Sequence, residues 1–103
     1  MDITVEELNQ KLSGKEHFLL LDVREPYEHD EFNLGGKLFP LGELMGRLDE
    51  VSDDKNEEIV IYCRTGNRSG MAKMILSQTG YTNVRNLLGG VSEWQNKYGN
   101  QHP

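Results

Sequence analysis

Ile59-Val60-Ile61-Tyr62-Cys63-Arg64-Thr65-Gly66-Asn67-Arg68-Ser69-Gly70 is the stretch whose reading decides the fold. Its first four residues are a β-branched and aromatic run of strand length, and a helical pattern begins near Ser69, so Cys63 falls at a strand's carboxyl end. Open α/β folds place their sites there. A loop this short turns several backbone N–H groups toward its own centre, while the helix adds partial positive charge from its N-terminus. Cys63 is therefore expected inside an anion-binding cradle.

Working outward, Thr4 and Glu7 make a capping box, and Val5, Leu8 and Leu12 keep helical spacing, which predicts a helix over residues 4–13 with a stop at Gly14. Residues 18–21 are a continuous apolar run leading into Asp22-Val23-Arg24, the mark of a strand covered on both faces. Pro26 opens a short helical turn to about residue 30. Gly35-Gly36 permits a turn before a short strand over 37–39, closed by Pro40. Leu41, Leu44, Met45 and Leu48 recur at helical spacing, and the polar residues 49–58 read as a surface loop.

Beyond the cysteine loop, Met71, Ala72, Ile75, Leu76 and Thr79 predict one apolar helix face, with Lys73 and Gln78 outward and Gly80 as the stop. Residues 84–88 read as a last strand, Gly89-Gly90 as a turn, and 91–98 as a closing helix that carries Trp94 into the core. Residues 101–103 are expected to fray. Strands alternating with helices imply an α/β fold: a parallel sheet with helices on both faces and right-handed crossovers.

The chain has 103 residues, enough for one domain and one core over residues 1–103. A net charge of −6 without any basic run removes the electrostatic footprint of nucleic-acid binding. The first residues lack the basic and apolar segments of a secretory signal, and no apolar stretch reaches transmembrane length, so the expectation is a cytoplasmic protein with no membrane partner. A single cysteine has no internal disulfide partner. It is either a small buried hydrophobe or a reactive thiol.

The loop's composition favours the thiol. A helix N-terminus and guanidinium groups lower a thiol's pKa below the roughly 8.5 of a free cysteine, and Arg64 and Arg68 supply the guanidinium groups. Gly66 permits the backbone angles of a closed loop, and the Thr65 and Ser69 hydroxyls can donate to an anion inside it. Each has a blander reading alone: Arg64 a solvated charge, Ser69 an N-cap, Gly66 a turn glycine. Their convergence after a buried strand points to chemistry.

Four segments of the chain carry a family resemblance: Leu21-Asp22-Val23-Arg24-Glu25 with Glu28; Gly35 with Phe39-Pro40; the loop from Cys63 to Ser69; and Leu88-Gly89-Gly90 with Trp94. Together they resemble a single-domain rhodanese, a sulfurtransferase, over essentially the full length. The resemblance implies a three-layer domain around a central parallel sheet of about five short strands. It also implies a reaction, in which Cys63 takes sulfur from thiosulfate or a similar donor, holds it as a persulfide, and passes it to cyanide or a thiol.

In that reading the N–H groups from Arg64 to Ser69 (Arg64, Thr65, Gly66, Asn67, Arg68 and Ser69) stabilise the sulfur anions, and Arg64 and Arg68 attract the donor's sulfonate. No metal or dissociable cofactor is required. A second reading is a persulfide carrier or interaction module serving a protein sulfur donor or acceptor, with little turnover on thiosulfate. A third, a phosphatase or arsenate reductase, is disfavoured by loop length. Cysteine-dependent phosphatases hold five residues between cysteine and arginine, and here there are four between Cys63 and Arg68, a ring sized for one sulfur.

Asp22 and Arg24, at the end of a central strand, either help polarise the site or hold the loops, Asp22 capping backbone N–H groups and Arg24 pairing with Glu28. The family's usual Gly-His-Ile-Pro-Gly-Ala segment corresponds here to Glu31-Phe32-Asn33-Leu34-Gly35-Gly36, which gives that wall of the pocket an apolar residue, Phe32. His17, His29 and His102 show no metal-ligand spacing and are read as surface residues.

Overall fold

The fold is that of a computed structural model describing residues 1–103. Its elements run α1 (Val5–Ser13), β1 (Leu19–Asp22), α2 (Pro26–Glu31), β2 (Lys37–Leu38), α3 (Leu41–Leu44), a 3-10 turn (Leu48–Glu50), β3 (Ile59–Tyr62), α4 (Asn67–Gln78), β4 (Val84–Asn86) and α5 (Gly90–Tyr98). All the strands are parallel, in the order β2-β1-β3-β4. The four strands are the four that the sequence pattern predicts, where the family resemblance implies about five. At the outer edge of β4 a single parallel bridge, Ile3 to Leu87, extends the sheet.

The side chains of β3 are all buried, and their alternation divides the interior in two. Ile59 and Ile61, followed by Cys63, join Leu44 of α3 and Ala72 and Leu76 of α4. Val60 and Tyr62 join Val5 and Leu8 of α1 and Val91 and Trp94 of α5. Helices thus cover both faces, and each fully buried large side chain contributes about 1.5–3 kcal/mol. β1 pairs with β3 over four residues, ending Asp22 to Tyr62, so the two central strands finish level beside Cys63.

Local signals set most boundaries. The Glu7 N–H donates to Thr4 Oγ1 (3.1 Å), and Glu7 Oε1 accepts from the Thr4 N–H, completing the capping box of α1. Trp94 is buried as its position in the sequence implies. Gln101 and His102 are exposed and outside any helix, yet the Gln101 carbonyl accepts from Trp94 Nε1 and His102 stacks on Phe32 with ring centroids 5.0 Å apart.

Two helices depart from their sequence pattern. The apolar spacing over 41–48 predicts two turns, but α3 stops after Leu44, with Gly46 in the break and a 3-10 turn beyond it. Gly42 and Gly46 weaken a helix that has little length to compensate. In α4 the buried residues are Ser69, Ala72 and Leu76, whereas Met71 is 55% exposed, Thr79 is exposed, and Lys73 turns inward to pair with Asp2. The helix begins at Asn67, ahead of the expected start, and aims Ser69 at the cysteine. That demand sets the phase of the whole helix, because the residues three and seven further on then face the core.

Candidate active site

β3 ends at Tyr62, and the chain closes around Cys63 before entering α4. Gly66 makes the closure, with φ +103°, a conformation that a side chain would strain. Its N–H donates to Cys63 Sγ at 3.1 Å; the Ser69 N–H lies 3.4 Å and the Ser69 hydroxyl 3.3 Å from the same sulfur. Cys63 is only 1% exposed. Burial pushes its thiol up, but the Ser69 hydroxyl and the N–H groups of Ser69, Gly66 and Thr65 outweigh it, holding the thiol below its ordinary range. Of the two hydroxyls predicted to serve an anion, Ser69 faces the sulfur, while the Thr65 side chain is exposed and contributes through its backbone.

A second helix supports the loop from outside. The Val91 N–H donates to the Cys63 carbonyl (3.0 Å) and the Ser92 N–H to the Arg64 carbonyl (2.9 Å), so free donors at the start of α5 take the loop's outward acceptors. Gly90 makes this approach possible. A Cβ on Gly90 would stand 2.4 Å from the Cys63 carbonyl oxygen. Gly89-Gly90 therefore reads as more than the turn the sequence suggests. Two adjacent glycines at the start of a helix are the legible sign of a close backbone approach, here to the Cys63 peptide.

The arginines part company. Arg64 is exposed beside an open cleft of about 180 Å³, with Tyr27, Phe32 and Gln95 on its walls. Arg68 instead makes a two-pronged ion pair with Glu28 (2.7 and 2.8 Å). Arg68 pulls the Glu28 carboxyl from 4.5 to about 2, and Glu28 holds the guanidinium charged in return. Asn67 is exposed at the first turn of α4.

Asp22 and Arg24 form a separate buried cluster. Arg24 donates through Nε and Nη2 to the two Asp22 oxygens (2.9 and 2.8 Å), and its backbone N–H donates to Asp22 Oδ1 (3.0 Å). The partner of Arg24 is thus Asp22, together with the Phe32 carbonyl (2.6 Å), and not Glu28, which Arg68 occupies. The guanidinium reaches back two residues because strand-end geometry turns both side chains to one side. His29, expected at the surface, is partly buried with Nδ1 2.8 Å from Asp22 Oδ2. Burial would raise the Asp22 carboxyl, but Arg24 and His29 hold it below its ordinary range. Neither Asp22 nor Arg24 bonds to the cysteine sulfur. His17 is exposed, and no three His, Cys, Asp or Glu side chains gather as a metal site.

Sequence reasoning missed Asn86. Its Nδ2 donates to the Gly66 carbonyl (3.1 Å), and its Oδ1 lies 2.5 Å from Ser69 Oγ. Nothing in the local pattern marks it, since it enters the site only through the pairing of β4 with β3.

The Rhodanese-like domain family matches residues 4–97. Thiosulfate sulfurtransferase PspE of Escherichia coli is 40% identical over 75 residues, covering 72% of this chain and 70% of that protein. A Bacillus subtilis protein named for a sulfur-carrier role, YrkF, is 35% identical over 97 residues, or 93% of this chain and 51% of that protein, so the chain spans about half of that relative. A Staphylococcus saprophyticus protein of solved structure superposes with a TM-score of 0.83 at 29% identity, covering 98% of each chain. No helix is long and apolar enough to cross a membrane. The names of these proteins differ in the task they state, but the fold and the cysteine loop point one way: this chain belongs to the rhodanese-like domain family.

Proposed function

We propose that the protein is a sulfurtransferase in which Cys63 carries the transferred sulfur. The observation behind this reading is the ring of donors on Cys63 Sγ, which stabilises a sulfur anion without any cofactor. The thiolate attacks the outer sulfur of thiosulfate or a similar donor. A new S–S bond forms, the donor's own S–S bond breaks, and its electron pair leaves with sulfite. A thiolate or cyanide acceptor then attacks the terminal sulfur of the persulfide, and the pair from the broken S–S bond returns to Cys63 as thiolate. Loop N–H groups favour both the thiolate and the persulfide anion, because each presents negative sulfur to the same centre.

One observation favours a second reading, a carrier loaded by a protein partner. The sequence offers two arginines for the donor's sulfonate, but Glu28 engages Arg68 and leaves Arg64 as the loop's exposed guanidinium. The sulfur-carrier name of the Bacillus subtilis relative agrees with this alternative. The expected result is a gain of one sulfur atom in the intact mass after incubation with thiosulfate, and thiocyanate release on adding cyanide. Cys63→Ser shows neither. Equal turnover by wild type and Cys63→Ser overturns the proposal, whereas loading from a cysteine desulfurase but not from thiosulfate selects the carrier.

A further inference from the structure

The Ser69 hydroxyl has one proton and two acceptors within reach. Its oxygen lies 3.3 Å from Cys63 Sγ and 2.5 Å from Asn86 Oδ1. Asn86 is held at every polar atom. Nδ2 donates to the Gly66 carbonyl (3.1 Å), and the reversed amide would set two acceptors against each other there, so Oδ1 faces Ser69. The Asn86 N–H donates to Asp2 (3.1 Å), itself paired with Lys73, and the Asn86 carbonyl accepts from the Ile3 N–H (3.0 Å). Across the sheet Asn86 pairs with Ile61, two residues before the nucleophile.

We infer that Asn86 is a positioning residue for Cys63: it competes with the sulfur for the Ser69 hydroxyl and so governs when that hydroxyl serves the thiolate. While Cys63 is protonated, its S–H donates to Ser69 Oγ, and the hydroxyl donates onward to Asn86 Oδ1, the nearer acceptor. When the thiol loses its proton to solvent, the sulfur becomes a charged acceptor and draws the hydroxyl toward itself, because bonds to charged partners are the stronger ones. The hydroxyl proton stays on its oxygen throughout; only its direction changes. Asn86 Oδ1 then gives up its donor, so each ionisation of Cys63 works against this bond. The Nδ2 bond to the Gly66 carbonyl fixes the amide, so Oδ1 stays aimed at the Ser69 hydroxyl.

The charged groups around this cluster are Arg64, the Arg68–Glu28 pair, the Asp22–Arg24 pair with His29 at the end of β1, and the Asp2–Lys73 pair behind Asn86. None bonds to the Ser69 hydroxyl, which keeps the competition between Asn86 and Cys63.

The inference rests on Cys63 as the nucleophile, and its test reads the thiol directly, with no sulfur donor present, so its failure is distinct from failure of sulfur transfer. The pH dependence of iodoacetamide alkylation is measured on the full chain. In Asn86→Ala the midpoint falls by about one pH unit, about tenfold in the thiolate-to-thiol ratio, because the hydroxyl is free for the sulfur. In a Ser69→Ala background, Asn86→Ala leaves the midpoint where Ser69→Ala put it. A midpoint that rises or stays in place in Asn86→Ala, or that shifts equally without the Ser69 hydroxyl, overturns the inference. If circular dichroism shows Asn86→Ala unfolded, Asn86→Leu, which keeps the bulk without the acceptor, takes its place with the same expected fall of about one unit in the midpoint; no fall, or an equal fall in Ser69→Ala, overturns the inference.

Discussion

At the carboxyl end of β3, Cys63 Sγ meets the N–H groups of Gly66 and Ser69 and the Ser69 hydroxyl, with no ion pair closing on it. One strand over, at the end of β1, the Asp22 carboxylate is fully buried and met on both oxygens by Arg24, with His29 on one of them. The strands are in register, yet the two ends use polar groups for different purposes. Around Cys63, two N–H groups and a hydroxyl converge on one sulfur, so a negative charge there would be met by donors and not by an ion pair. Around Asp22 the charges match, so nothing is left over for a ligand. On the proposed function, converging donors mark the reactive end, while matched charge marks the end that holds shape.

The sharpest way to break this comparison is Asp22→Asn. It leaves the Arg24 guanidinium, 4% exposed, without its carboxylate, and should cost about 3–5 kcal/mol in urea unfolding, while the folded protein keeps its Cys63 alkylation midpoint. Little loss of stability together with a moved midpoint would make Asp22 part of the reactive end after all. Gly90→Ala comes next. Its Cβ would collide with the Cys63 and Arg64 backbone, and its φ of +58° disfavours any side chain, so unfolding studies should show a loss of at least about 2 kcal/mol along with a higher alkylation midpoint. A variant as stable and reactive as wild type would mean that α5 does not shape the cradle.

The smallest effect belongs to Glu28→Gln, which separates the two ends at their point of contact. Arg68 is more than a third exposed, so solvent screening limits the lost stability to about 1 kcal/mol. The carboxyl of Glu28 is lowered from 4.5 to about 2, so the pair's contribution is full above about pH 4.5 and is lost as the pH falls through about 2. Wild type and Glu28→Gln should accordingly differ in urea midpoint at pH 7 and converge toward pH 2. Released from Glu28, Arg68 is free to meet a sulfonate, so the KM for thiosulfate should fall. An unchanged KM would assign the donor's anionic end to Arg64 alone.

These contrasts also explain which parts were legible beforehand. The strand over Ile59–Tyr62 and the loop after it could be read because burial on two faces, a closed turn and a helix start each leave a local mark within a dozen residues. The phase of α4 could not, because it is set by Ser69 reaching Cys63 rather than by the apolar spacing of Met71 and Ile75. The partner of Arg24 is hidden for a similar reason. The rule that buried charges are paired points to Glu28 as readily as to Asp22, but Arg24 lies before α2 begins, where a side chain can fold back on its own strand. Asn86 was invisible because its value depends on β4 lying beside β3, a fact of topology that no spacing encodes.

The hold of α5 on the Cys63 and Arg64 carbonyls has a consequence for opening. The Val91 and Ser92 N–H groups bind the loop's backbone instead of solvent, so α5 lifts away only by uncovering those two carbonyls, and the helix and the cysteine loop open as one unit.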